Sequence, residues 1–141
     1  MAWHTYNLDQ TAQKLVLLAR ERDPDSLNQA HKMRMAVAYG LERFWGEHLR
    51  LQAKEEAKSK YWKSTWDQFC VTMAKTGIIL PDNNVQVTAT KEIQEISTRL
   101  WALPPEDQRV CLAVLTQLCD CLVWWTQRYK LKRSGQDHAD S

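Results

Sequence analysis

At 141 residues and 16.5 kDa the chain has the length of one domain, and 44% hydrophobic with 26% charged residues excludes a mostly disordered polymer. Four Gly and four Pro are too few turn formers for a sandwich or barrel of many short strands, so the expected fold is all-α, a single bundle of about five helices. The net charge of +2 neither demands nor forbids a nucleic-acid partner.

The first helix is expected from Leu8 to about Arg22, with Leu8, Ala12, Leu15, Val16 and Ala19 at helical spacing and Asn7 and Gln10 placed as a capping box. Asp23-Pro24-Asp25-Ser26 stops it, and Asp25 or Ser26 is placed to cap the next. A second helix is expected over residues 27–57, with Leu27, Ala30, Val37, Leu41, Phe44, His48 and Leu51 on one stripe. Gly40 and Gly46 lie within it, each costing about 1 kcal/mol against Ala, so the sequence allows a kink there.

Tyr61, Trp62, Trp66, Phe69, Cys70 and Met73 form the third stripe, with Ser59 or Ser64 as its cap and Gly77-Ile78 as its C-terminal signal. Leu80-Pro81-Asp82-Asn83-Asn84 reads as a turn, and Val85, Val87 and Ala89 as at most a short extended piece. Thr88 or Thr90 is expected to cap a fourth helix carrying Ile93, Ile96, Leu100 and Leu103. Pro105, Glu106 and Asp107 suit the start of a fifth, whose apolar face is Cys111, Val114, Leu115, Leu118, Leu122, Trp125 and Tyr129. The bundle domain is placed at 1–133, and the tail 134–141 is expected to be disordered.

The most apolar stretch, Val110 to Trp125, is broken by Gln117 and Asp120 before the ~18 to 20 residues a membrane span needs. No basic flank leads into an apolar run at the N-terminus, so no signal peptide is expected and the location is read as cytoplasmic. Four Cys are too few for a disulfide framework. No His pair has zinc spacing, and no phosphate loop or nucleophile elbow is present. The chain is therefore read as non-catalytic, with no metal, cofactor or small-molecule substrate. Cys111, Cys119 and Cys121 are placed as buried small hydrophobes and His48 as a core or boundary residue.

Charge is unevenly spread. Residues 32–76 carry nine basic and five acidic groups, and residues 128–133 carry four basic and none acidic. On a continuous second helix Lys32, Tyr39, Arg43, Arg50, Lys54 and Lys58 fall on one face, away from Leu41 and Phe44. Arg43 to Arg50 then spans about 10.5 Å, close to three phosphate steps on a duplex strand. Lys60 and Lys63 extend the stripe, and Arg128, Lys130, Lys132 and Arg133 form a second zone closing the last helix. A solvated face is the alternative, because Glu42, Glu47, Glu55 and Glu56 lie within pairing distance of these cations, and the helix dipole favours the second zone anyway.

Seven Trp is a heavy load, and Trp45, Trp62, Trp66 and Trp125 fall near apolar stripes. Trp124 and Trp125 point about 100° apart on a helix, so both are covered only if a second surface meets that helix. They are the candidate partner interface, a wide burial within the chain being the alternative.

With its basic stripes and Trp-rich last helix, seen in 43-RFWGEHLRLQAK-54 and 121-CLVWWTQRYKLKR-133, the chain resembles the small, Cas-eleven-type helical subunit of CRISPR effector complexes, above all the subtype I-D Cascade version. That resemblance implies a role in antiviral defence, with copies of the chain stacked among other effector subunits. It also implies phosphate contacts to guide RNA and to the target and displaced DNA strands. The competing expectation is a helical protein–protein adaptor or regulator with a Trp-rich interface and no nucleic-acid role.

Overall fold

A computed structural model describes residues 7–130. Among these residues there are six α-helices and no β-strand, the all-α class expected. They are α1 (Leu8–Arg22), α2 (Gln29–Ala36), α3 (Leu41–Leu51), α4 (Glu56–Ala74), α5 (Thr90–Trp101) and α6 (Pro105–Tyr129), with 3-10 turns at Pro24–Asn28 and Val37–Tyr39. The expected tail 134–141, together with Lys132 and Arg133, lies outside the described residues.

The extra helix arises inside the stretch expected to be continuous over 27–57. After Ala36 the backbone tightens into a 3-10 turn, and Gly40 ends it with φ 97° and ψ 174°, an extended conformation that only glycine adopts without strain. Gly46 stays helical. The apolar stripe survives the break, since Leu27, Ala30, Val37, Leu41, Phe44, His48 and Leu51 are all buried. A second interruption, Gln52 to Glu55, separates α3 from α4.

The other boundaries follow local chemistry, with three corrections. Asn7 takes a left-handed conformation with no side-chain cap bond, so the expected capping box does not form. Asp23 caps the Pro24–Asn28 turn, its side chain accepting from the Asp25 amide at 3.0 Å, where Asp25 or Ser26 was the expected cap. Neither Ser64 nor Ser59 caps α4: Ser59 lies inside the helix, and its buried hydroxyl donates to the His48 carbonyl at 2.6 Å. At the far end of α4 the Gly77 signal is realised. Gly77 has φ 91°, its amide donates to Ala74 O at 3.0 Å, and the Ile78 amide donates to Met73 O at 3.2 Å, the paired bonds of a Schellman motif. Ala89, not Thr88 or Thr90, is the N-cap of α5, and Pro105 opens α6.

The core lies where α6 packs along α1 and α2 and where α4 packs along α3, with α5 resting on α3. Trp45, Trp62 and Trp66 are each 1% exposed or less, and Phe44 stands 5.0 Å from Trp62 and 6.3 Å from Trp66 between ring centroids. The two buried indoles that find partners tie distant segments together. Trp62 Nε1 donates to Gln29 Oε1 at 2.9 Å, and Trp66 Nε1 to Pro81 O at 2.8 Å. The irregular chain after α4 is held down this way. Leu80 and Val85 are buried, Gln52 bonds Val85 O and the Val87 amide, and Lys63 Nζ reaches Asp82 O at 3.0 Å. Val87 and Ala89 form no strand.

Helix α6 has 25 residues and is the one described helix long and apolar enough, by length and composition, to cross a membrane. Gln117 and Asp120 thus interrupt its apolar run less than the sequence reading holds. Cys111, Val114, Leu115, Leu118 and Leu122 on this helix are buried within the bundle.

Candidate functional site

The breaks at Gly40 and at Gln52 to Glu55 divide the expected basic stripe among three helices and a turn. Lys32 lies on α2, Arg43 and Arg50 on α3, Lys54 in the following turn, and Lys58, Lys60 and Lys63 on α4. Four of these cations are already paired. Arg50 makes a two-pronged bond to Glu47, both contacts at 2.8 Å, which raises its pKa further. Lys58 bonds Glu55 at 2.9 Å and Lys60 bonds Glu56 at 2.8 Å, and these bonds lower the pKa of both carboxyls. Lys63 sits between Asp67 and the Asp82 carbonyl with its side chain 13% exposed, a structural clamp more than a surface charge. The Arg50, Lys58 and Lys60 pairs are local contacts on solvent-facing parts of their helices, so they mark the charges as satisfied without stabilising the fold much.

Lys32, Arg43 and Lys54 are exposed and have no ion pair among the described residues. The Arg43 guanidinium lies over the Tyr39 ring, 5.8 Å from its centroid. Lys32 and Arg43 border a hollow of about 300 Å³. Met35 and Tyr39 form its walls, Trp62 and Ala36 its inner surface, and Glu47 its third charged edge. The sequence reading included Tyr39 in the stripe and missed Met35. The signal was present as an i, i+4 pair of large apolar residues turned away from the buried Met33 and Val37, but only the break at Gly40 makes a hollow beside it.

Towards the C-terminal end of α6 its two adjacent indoles part company. Trp125 is half-buried against α1, with Nε1 donating to Asp9 Oδ1 at 3.3 Å and its ring stacked on Tyr129 at 5.5 Å and 13°. Tyr129 is fixed in turn by Gln13, whose side-chain amide donates to its hydroxyl at 3.0 Å, and by the Arg20 guanidinium 5.4 Å from its ring centroid. Trp124 is 56% exposed and stands edge-on to Trp125 at 5.0 Å and 81°. Arg128 lies 5.8 Å from the Trp124 ring centroid and 5.4 Å from that of Trp125, which holds all three side chains in one ledge. Lys130 follows, exposed, beyond the helix end.

Among the described residues no three His, Cys, Asp or Glu side chains gather to hold a metal ion. Cys111 and Cys119 are fully buried and Cys121 half-buried. Burial raises the pKa of all four thiols, Cys111 and Cys121 to about 11 and Cys70 and Cys119 further, so at neutral pH they are protonated and poor nucleophiles. His48 is 3% exposed; Nδ1 faces the Trp45 carbonyl, and Nε2 has no partner. Burial lowers its pKa, the Trp45 carbonyl opposes this, and Lys63 lowers it while Asp67 raises it.

The unfolded chain therefore takes up the His48 proton near pH ~6.5, before the folded chain does, and stability must fall as pH drops below that value. Urea midpoints measured between pH 7.5 and 5.5 are expected to decline for the native chain and to stay flatter for His48→Gln. Equal slopes would show that His48 titrates freely in the fold.

No family model, curated protein or solved structure matches this chain.

Proposed function

We propose that the chain is a non-catalytic helical interaction module that binds a partner protein through the Trp124–Arg128 ledge at the end of α6. The observation that carries this reading is the exposure of Trp124, 56%, in a side chain whose orientation is nonetheless fixed by Trp125 and Arg128. Trp and Arg dominate interface hot spots, and a pre-ordered pair loses little side-chain entropy when a partner covers it. Trp125 gives the ledge its rigidity and belongs to the fold more than to the surface.

Trp124→Ala should weaken partner binding by about 2 kcal/mol or more while leaving the thermal midpoint nearly unchanged. The test is quantitative recovery of proteins with the tagged full chain and with the variant, before and after nuclease treatment and in raised salt. The reading expects a partner that is lost with Trp124→Ala yet survives nuclease and salt. A partner stripped by nuclease would place the contact on phosphates.

The second reading, a nucleic-acid-binding subunit of a CRISPR effector complex, is supported by Lys32, Arg43 and Lys54, the cations of the stripe without carboxylate partners among the described residues. Arg128 and Lys130, exposed beside Trp124, add to it. Its weakness is that Arg50, Lys58, Lys60 and Lys63 must exchange existing carboxylate bonds for phosphate ones.

A further inference from the structure

We infer that the hollow between α2 and α3 is a second docking site, independent of the Trp124 ledge, for a short acidic segment of a partner protein that carries an apolar anchor. The argument begins with exposure. Met35 at 73% and Tyr39 at 69% are the two most exposed large apolar side chains among the described residues, and they stand one helical turn apart on the same hollow. Beneath them lie Ala36 and the buried Trp62, whose ring is fixed by its bond to Gln29. The volume, about 300 Å³, is at the bottom of the range of ligand pockets, ~300–1,000 Å³. It has room for one or two bulky side chains and a flexible Met wall that adapts to them.

Charge selects the rest of the occupant. Glu47 on the rim is already neutralised by the two-pronged Arg50 bond. Glu55, whose carboxyl Lys32 helps to keep ionised, is already hydrogen-bonded to Lys58. Lys32 and Arg43 remain as positive charges without an ion pair among the described residues, on either side of an apolar surface. The contact of Arg43 with Tyr39 uses the face of the guanidinium and leaves its planar N–H fork open to a carboxylate. A matching ligand has carboxylates flanking an aliphatic or aromatic side chain.

A phosphate backbone would satisfy the two cations and leave Met35 in water, so an acidic peptide fits more of the site. The chain's own tail, SGQDHADS, offers Asp137 and Asp140 but no large apolar residue to fill the hollow.

The test uses the full chain and a fluorescein-labelled octapeptide of three glutamates, Leu-Phe and three glutamates, followed by fluorescence anisotropy. The expected result is a single saturable site, weakened tenfold or more by Arg43→Glu, by Met35→Asp and by the charge-neutral Tyr39→Ala, and unchanged by Trp124→Ala. All three altered side chains are exposed, so circular dichroism should show native helicity. Should Met35→Asp fail to fold, Tyr39→Ala and Arg43→Glu carry the test. No saturable binding, or binding indifferent to these substitutions, overturns the proposal. Equal affinity for eight glutamates without the Leu-Phe pair overturns it as well. Tighter binding of an oligothymidylate of equal charge, lost with Arg43→Glu, would assign the hollow to nucleic acid instead.

Discussion

Trp66→Ala is expected to cost about 3–5 kcal/mol and to lower the midpoint of thermal unfolding by roughly 10 °C or more. The side chain is fully buried, and its ring lies 5.5 Å from Phe69 and 6.3 Å from Phe44. Its indole N–H is also the buried donor that holds Pro81 O. The loss should therefore appear in two measurements. Urea denaturation reads the cavity, and amide hydrogen exchange reads the loosening of the chain around Leu80 to Val85. Trp66→Phe separates them, because it retains most of the apolar volume and leaves the Pro81 carbonyl only the long 3.8 Å contact from the Cys70 thiol, at a cost of about 1–3 kcal/mol. If Trp66→Ala unfolds at the native midpoint, the indole is not packed as described.

Two glycines six residues apart should respond to the same substitution with opposite signs. Gly40→Ala forces a Cβ onto a backbone at φ 97° and ψ 174°, a region essentially reserved for glycine, and should destabilise by about 1–3 kcal/mol although nothing lies within 4 Å of the new methyl. The penalty is conformational and not steric, so no compensating truncation nearby should relieve it. Gly46→Ala places its Cβ inside α3 with only Glu42 Oε2 at 3.8 Å, an ordinary contact, and should stabilise by about 1 kcal/mol. Two urea curves decide the matter. Stabilisation by both substitutions would mean that α2 and α3 run together as one helix.

That contrast explains what was legible in the sequence. Gly77-Ile78 and Pro105 declare helix ends because their preferences are local, and both act where expected. At Gly40 a kink was legible but a helix end was not, because the apolar residues from Leu27 to Leu51 keep a helical rhythm across it, and burial depends on that rhythm, not on continuity of the backbone. The basic stripe inherited the error: six residues projected on one rod belong to three helices and the two turns between them. Spacing showed that glutamates were near enough to pair, but not which cations would be taken. Glu47 took Arg50, and Arg43 turned to Tyr39. The divergence of Trp124 and Trp125 followed from helix geometry alone, whereas the covering of Trp125 by Asp9 depends on a contact 116 positions away in the chain.

The same pairing of α1 with α6 bears on how the protein is made. The bond from Gln13 to Tyr129 also joins residues 116 positions apart, so at ~5–20 residues per second α1 leaves the ribosome roughly 6–23 s before the helix that covers it. Through that interval Leu8, Ala12, Leu15 and Val16 have no α6 to pack against, while α3 and α4, neighbours in sequence, can already associate. Until α6 emerges, α1 has only the Pro24–Asn28 turn and then α4 to pack against, so the face it turns to α6 stays open to water.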